Sequence, residues 1–266
     1  MEVHAHTHPS SSSGPHKKWT HYLWEFLMLF LAVFCGFLAE YQLEHKIEKD
    51  RANELAKSFY QELKNDSVSI AEKYQNRIKL ENSLQYLMKH FKDSSNTNLS
   101  KTFVVNFHRG ILFRYPTLFE PRTVVLEQLK NSGSLRYFKN EELQKLIGDI
   151  SVAIYNVNDR QALESNFRQS YLTPILIKHY DSDFELATRQ AGGNNLIEFL
   201  AEYEINEEIK IPFRLNNLET FDAKEINNIL SLFDFNIRGS RTIQFQKYID
   251  KNAELLKILR KIYHLK

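Results

Sequence analysis

The chain has 266 residues, and 42% of them are hydrophobic, which is enough to build a core and excludes a disordered protein. Its 35 basic and 33 acidic residues nearly cancel, so bulk charge selects neither nucleic acid nor an anionic membrane surface as a partner. Only 8 glycines and 6 prolines occur, which disfavours an all-β fold and favours long helices. We therefore expect a mainly α protein that has one N-terminal transmembrane helix and a helical-bundle or coiled-coil-like soluble domain.

An apolar segment near the N-terminus predicts the transmembrane helix, which we assign to residues 21–41. The segment from Phe26 to Ala39 reads FLMLFLAVFCGFLA and contains no charge. As a helix, the stretch from Tyr22 to Tyr41 is about 30 Å long, the usual hydrocarbon thickness. A signal peptide is the main alternative, but no small-x-small cleavage site is present. A buried core helix is the other alternative. The single cysteine lies inside the segment, so we expect no disulfide in the soluble part.

The charges beside this segment favour a cytoplasmic N-terminus and a periplasmic C-terminal domain in the inner membrane. Lys17 and Lys18 precede the segment, whereas the nearest charges after it are the acidic Glu40 and Glu44. Four basic residues follow within about 20 positions, so the count of positive charges alone is ambiguous.

Glu25 is the unusual residue of the segment, because a carboxylate inside hydrocarbon costs several kcal/mol unless it is paired or reaches the interface. One interpretation is an ion or proton relay. The other, which we favour, is a carboxylate within one turn of the lipid headgroups, with His21 four residues earlier on the same helical face.

Residues 1–20 form a histidine- and serine-rich tail that cannot build a core, and we expect it to be disordered. His4, His6 and His8 alternate, and in an extended chain they could share Zn²⁺, Cu²⁺ or Ni²⁺. A flexible segment has no preorganised site, however, so we favour a solvated tail and predict no metal site.

Beyond the anchor, residues 42–92 are predicted to form a long juxtamembrane amphipathic helix, and residues 93–266 a helical soluble domain. Apolar residues recur at helical spacing from Phe59 to Phe91. The β-prone Lys101–Phe107 predicts a short strand or extended segment.

Three helix boundaries can be read from capping residues, and one from proline. A helix over residues 123–130 is expected to end near Gly133, which can adopt a left-handed conformation. Asn140 and Asp222 are good N-caps, for a helix that reaches about Tyr171 and for one that ends at about Phe233. Pro174 is expected to break or kink the first of these.

The last 25 or so residues predict a helix able to form a coiled coil. Its apolar stripe has near-heptad spacing, interrupted by Asn252, and consists of Phe245, Tyr248, Leu255, Leu259 and Ile262. The same helix carries the basic residues Lys247, Lys251, Lys257, Arg260, Lys261 and Lys266. We interpret them as a solvated face opposite the apolar stripe, with a surface for lipid headgroups or an acidic partner as the alternative.

The motifs of several enzyme classes are absent from the sequence. It contains no GxxxxGK[ST], GxGxxG, HExxH or GxSxG, and a single cysteine cannot form a CxxC metal site. His90, His108, His179 and His264 show no ligand-like spacing, and we expect them to be packing or surface residues. We therefore predict no enzyme, no catalytic residue, no cofactor and no small-molecule substrate. A catalytic site assembled from distant residues stays an alternative.

Two stretches, HKKWTHYLWEFLMLFLAVFCGFLAEYQLEH and TVVLEQLKNSGSLRYFKNEELQKLIGDI, resemble an uncharacterised family of membrane-anchored proteins of Gram-negative bacteria. The resemblance implies a histidine-rich tail, one anchor and a helical domain, and it implies no activity. We expect an interaction or scaffold protein that contacts the bilayer and either another envelope protein or a copy of itself, with no nucleic acid. The alternative is a sensor or channel-associated subunit that responds to protons or metal through Glu25 or the tail.

Overall fold

The computed structural model describes residues 16–192 and 195–265, and it is mainly α, with no strand in these ranges. The chain divides into two compact units, Met1–Glu54 and Leu55–Lys266. The α-helices are α1 (His16–Asp93), α2 (Lys101–Phe107), α3 (Val124–Asn131), α4 (Glu141–Phe167), α5 (Thr173–His179), α6 (Ser182–Gln190), α7 (Leu196–Ile205), α8 (Ala223–Gly239) and α9 (Gln246–Tyr263).

The first unit contains the N-terminal part of α1. Among the described residues, α1 is the one helix that is long and apolar enough to cross a bilayer. Its most apolar 18-residue window has a mean hydropathy of 2.0, and none of that window is buried. Phe26, Phe30 and Phe34 stack along one face, with ring centroids 6.3 and 5.9 Å apart.

The second unit begins at Leu55, and the C-terminal part of α1 forms part of its core. The Asn252 side chain of α9 donates a hydrogen bond to the Leu63 carbonyl (3.1 Å), and Tyr248 donates one to Asp66 (2.8 Å). Helical periodicity identified the apolar face of this segment, but periodicity does not show which elements cover it. The buried apolar residues of this segment include Phe59, Leu63, Ile70, Leu80, Leu84, Leu87 and Phe91.

The predicted strand or extended segment at Lys101–Phe107 is wrong, because these residues form α2. Ser100 caps the helix, since its hydroxyl accepts a hydrogen bond from the Phe103 N–H at 3.1 Å. Phe103 and Phe107, one turn apart, are both buried, so packing of one helical face outweighs the weak strand propensity of the β-branched residues.

The predicted caps are confirmed. The side chain of Asn140 accepts a hydrogen bond from the Leu143 N–H (2.8 Å) at the start of α4, and Asp222 accepts from two N–H groups at the start of α8. Gly133 follows α3 with a φ of 69°, in the left-handed region. However, α8 ends at Gly239 and not at Phe233.

Two π-helical turns join consecutive helices. The turn Arg168–Leu172 leads from α4 into α5, and the turn Ser240–Phe245 leads from α8 into α9. Pro174 lies in the first turn of α5, a helix position that tolerates proline. The change of hydrogen-bonding register therefore comes just before the proline that predicted a break.

The apolar stripe of α9 is covered within the domain. Phe245, Tyr248, Leu255 and Leu259 are all buried, and α9 packs on α4. The near-heptad spacing predicted a helix able to form a coiled coil, and in the fold this stripe packs inside the domain.

Candidate interaction surface

Helices α4 and α8 pack against each other in antiparallel directions. The Phe167 ring near the end of α4 stacks on Phe233 of α8, with centroids 5.5 Å apart. A Cβ added to Gly239, at the end of α8, would lie 3.9 Å from the guanidinium of Arg160, earlier in α4. Residue numbers therefore rise along one helix as they fall along the other.

A groove runs between these helices. It consists of two adjoining cavities, of about 330 and 230 Å³, whose linings share Ser170 and Tyr171. We call the two cavities together the α4–α8 groove. Its first cavity is lined by Arg160, Leu163, Glu164, Asn166, Phe167, Ser170, Tyr171, Asn236 and Ser240. Its second is lined by Ser170, Tyr171, Pro174, Ile175, Lys178, His179, Thr220, Asp222, Glu225, Ile226 and Ile229.

The groove has apolar side chains exposed along its edge. Leu163 and Tyr171 are each 51% exposed, and Leu232 of α8, one helical turn before Asn236, is 59% exposed. Large apolar side chains that cluster beside a depression mark interaction surfaces more often than isolated exposed residues do.

The carboxylate of Glu164 in the groove is neutralised from below. Arg77 of α1, whose side chain is fully buried, donates two hydrogen bonds to the Glu164 carboxylate, at 2.8 and 2.9 Å. The Nε of Arg77 donates to the Thr117 carbonyl (3.3 Å), and its guanidinium lies 4.0 Å from the centroid of the Phe245 ring. The bidentate geometry fixes the position of α4 on α1.

Arg160 is the cation of the groove that lacks a full set of acceptors. Its Nε is buried and has no hydrogen-bond partner among the described residues. Among the described residues Arg160 forms no ion pair, and the Glu164 carboxylate, one helical turn further along α4, is paired with Arg77. A buried donor without an acceptor costs about 1–3 kcal/mol, so this position favours an incoming acceptor.

Arg168 supports the floor of the groove. It donates to the Ile111 carbonyl (2.8 Å), and its guanidinium lies 4.7 Å from the centroid of the Phe233 ring. Burial lowers the pKa of Arg168 to about 10, against the opposing attraction of Glu164. The side chain stays charged at neutral pH and holds the π-helical turn against α8.

The histidines among the described residues are not brought together into a metal site. The Nδ1 of His108 lies 2.7 Å from the Val104 carbonyl and its Nε2 lies 3.2 Å from the Tyr180 hydroxyl, and burial lowers its pKa to about 4. His179 is also buried, with Nδ1 2.8 Å from the Asn216 carbonyl. Over the described residues, no group of three or more His, Cys, Asp or Glu side chains is placed to hold a metal ion.

Glu25 has the local partner that the sequence suggested. Its Oε1 lies 3.3 Å from the Nε2 of His21, and both side chains are exposed.

His4, His6 and His8 lie outside the described residues, as does Lys266 on the basic face of α9. Two other residues of that face do have partners, since Lys251 lies 3.5 Å from Asp149 and Arg260 donates to the Tyr60 hydroxyl (2.6 Å).

Sequence reasoning missed the α4–α8 groove. One signal was present, because Leu232 and Phe235 fall outside the apolar stripe of α8 that Leu230, Phe233 and Ile237 define. Apolar residues away from the core face of a helix indicate a second contact.

Comparisons of the chain with protein-family models, curated proteins and solved structures find no match.

Proposed function

We propose that this chain is a membrane-anchored, non-enzymatic interaction protein, whose N-terminal helix lies in the bilayer and whose helical domain binds a partner protein through the α4–α8 groove. The observation that carries the proposal is the groove itself, which combines exposed apolar side chains with an arginine donor that lacks an acceptor. The anchor follows from the apolar window of α1, none of which is buried against protein.

The occupant that suits this groove best is an amphipathic helix that carries an acidic residue. A helix packs into an elongated depression between two helices through apolar residues at positions i, i+3 or i+4, and i+7. With 17 residues, α8 is about 26 Å long, so a partner helix of four to five turns would follow it. A carboxylate on that helix would accept from Arg160.

Site-specific crosslinking in native membranes tests the proposal. A photoreactive amino acid at Leu163 of the full chain should give one reproducible adduct. Tyr171→Arg should reduce its yield at least tenfold, because Tyr171 lines the groove and a charge there must be desolvated on binding. Leu186→Arg is the matched control, since Leu186 is 57% exposed on α6 and does not line the groove. Equal loss with both variants, or no adduct, would refute the proposed surface. The adduct mass separates another protein from a second copy of the chain.

We further propose that the chain lies in the bacterial inner membrane, with the tail cytoplasmic and the domain periplasmic. The support is the position of Lys17 and Lys18 before the apolar segment. Because Cys35 is the sole cysteine, a Cys35→Ser background allows single-cysteine labelling. A membrane-impermeant maleimide should label Lys257→Cys in intact cells and should not label Ser11→Cys. The reverse pattern would invert the topology.

A second candidate function is a proton-responsive subunit, favoured by the contact between His21 and Glu25 at one end of the apolar segment. Glu25→Gln discriminates between the two functions. A changed conductance or signalling response to pH supports the sensor, whereas unchanged responses with intact crosslinking at Leu163 support the interaction protein.

A further inference from the structure

Another cavity of the domain, separate from the α4–α8 groove, lies between α1, α2 and α7. Its volume is about 220 Å³. Its walls are mainly apolar and include Leu80, Val105, Phe113, Ile197, Leu200 and Ala201. Leu80, Val105 and Leu200 also belong to the core, so this part of the wall is rigid.

Two cations line the same cavity, Lys79 of α1 and Arg109. Lys79 is exposed and Arg109 is half-buried. Within residues 16–192 and 195–265, neither side chain forms an ion pair or hydrogen bond. This differs from Arg77 and Arg241 of the same domain, each of which donates two hydrogen bonds to a carboxylate.

Arg109 is presented by an irregular helical turn. It lies in the π-helical turn His108–Leu112, directly after α2. Such turns change the direction in which side chains leave a helix, and they are frequent at functional sites. A half-buried guanidinium without an acceptor, beside an apolar wall, has the chemistry of a carboxylate-binding position.

The volume limits the ligand. A dry protein cavity of about 150 Å³ lined by Leu, Ile and Phe holds benzene, and sites for drug-sized ligands are about 300–1,000 Å³. The present cavity therefore has room for about one aryl ring or a short acyl chain with a small polar group. We propose that it binds a small ionised carboxylic acid, with the apolar body against Leu80 and Leu200 and the carboxylate at Lys79 and Arg109.

Isothermal titration of the full chain in a mild detergent tests this inference with three probes. The acid 3-phenylpropionate has both parts of the ligand, 3-phenylpropanol lacks the charge, and acetate lacks the apolar body. Ala201→Trp, which fills the cavity from its exposed edge, provides the baseline for partitioning into micelles. We expect saturable binding of 3-phenylpropionate, binding of the other two weaker by about tenfold or more, and no saturable binding to Ala201→Trp.

A charge variant and a matched control complete the experiment. Arg109→Gln should weaken 3-phenylpropionate about tenfold and leave 3-phenylpropanol unchanged, whereas Lys257→Gln, on an exposed position of α9, should change neither. Two results would overturn the inference. One is equal affinity for the acid and the alcohol, and the other is equal heat of binding for the natural chain and Ala201→Trp. Both are independent of the crosslinking test of the groove.

Discussion

Removal of Arg77 alone should be among the most destabilising single changes in the domain. In Arg77→Met, the Glu164 carboxylate, whose side chain is only 8% exposed, loses both of its short hydrogen bonds, and the Thr117 carbonyl loses its donor. Leaving one member of a buried ion pair uncompensated costs about 3–5 kcal/mol. That is a large share of the roughly 5–15 kcal/mol by which domains are stable. A domain of this size should melt about 10 °C lower.

The double variant Arg77→Met with Glu164→Leu distinguishes a charge effect from a packing effect. Removing both charges should recover more than half of the loss, because no unpaired charge stays buried. The assay is urea unfolding of the full chain in mild detergent, followed by far-UV circular dichroism. Arg189→Met is the control, since it breaks an exposed pair with Glu185 and should cost under about 1 kcal/mol. Strict additivity of the two single changes would refute the reasoning.

Three further predictions, with four variants, concern other parts of the domain and use the same assay. Between about pH 7 and pH 5, the free energy of unfolding should fall by about 2 kcal/mol more in the natural chain than in His108→Gln. The reason is that the imidazole has a pKa of 6.5 in the unfolded chain and of about 4 when buried, so the unfolded state binds a proton first as the pH falls. Equal pH profiles of the two proteins would exclude this effect. Gly133→Ala should destabilise the domain by about 1 kcal/mol, because the φ of 69° at this position is unfavourable for alanine. Gly148→Ala should stabilise the domain by up to about 1 kcal/mol, because alanine is a better helix former than glycine inside α4 and the space beside it is open. Stability changes of the same sign in the two variants would contradict this reason. Tyr248→Phe should cost about 1–3 kcal/mol, since the buried Asp66 loses a donor at 2.8 Å, and a neutral effect would show that the bond contributes nothing.

Local signals predicted the helical elements well, because they depend on residues close in sequence. Asn140, Asp222 and Gly133 act through hydrogen bonds or backbone angles within one turn, and each has the predicted role. The apolar segment that begins near Tyr22 is likewise a local property of length and hydropathy. Lys101–Phe107 failed because burial decided its conformation.

What the sequence could not show depends on contacts between distant residues. The stripe of α9 has the same sequence pattern whether another chain or α4 covers it, and in the fold α9 packs on α4. The groove likewise requires α4 and α8 to be neighbours, although Arg160 and Gly239 are far apart in sequence. The pairing of Arg77 with Glu164 has no sequence pattern at all.

The most direct test of the whole account is flotation of the full chain from lysed cells on a density gradient after alkaline carbonate extraction. The unprocessed chain should rise with the lipid fraction and be released only by detergent, because the exposed apolar face of α1 is more stable in hydrocarbon than in water. Leu29→Arg together with Phe34→Arg should move the chain to the soluble fraction. Full-length natural chain in the soluble fraction without detergent would contradict the account.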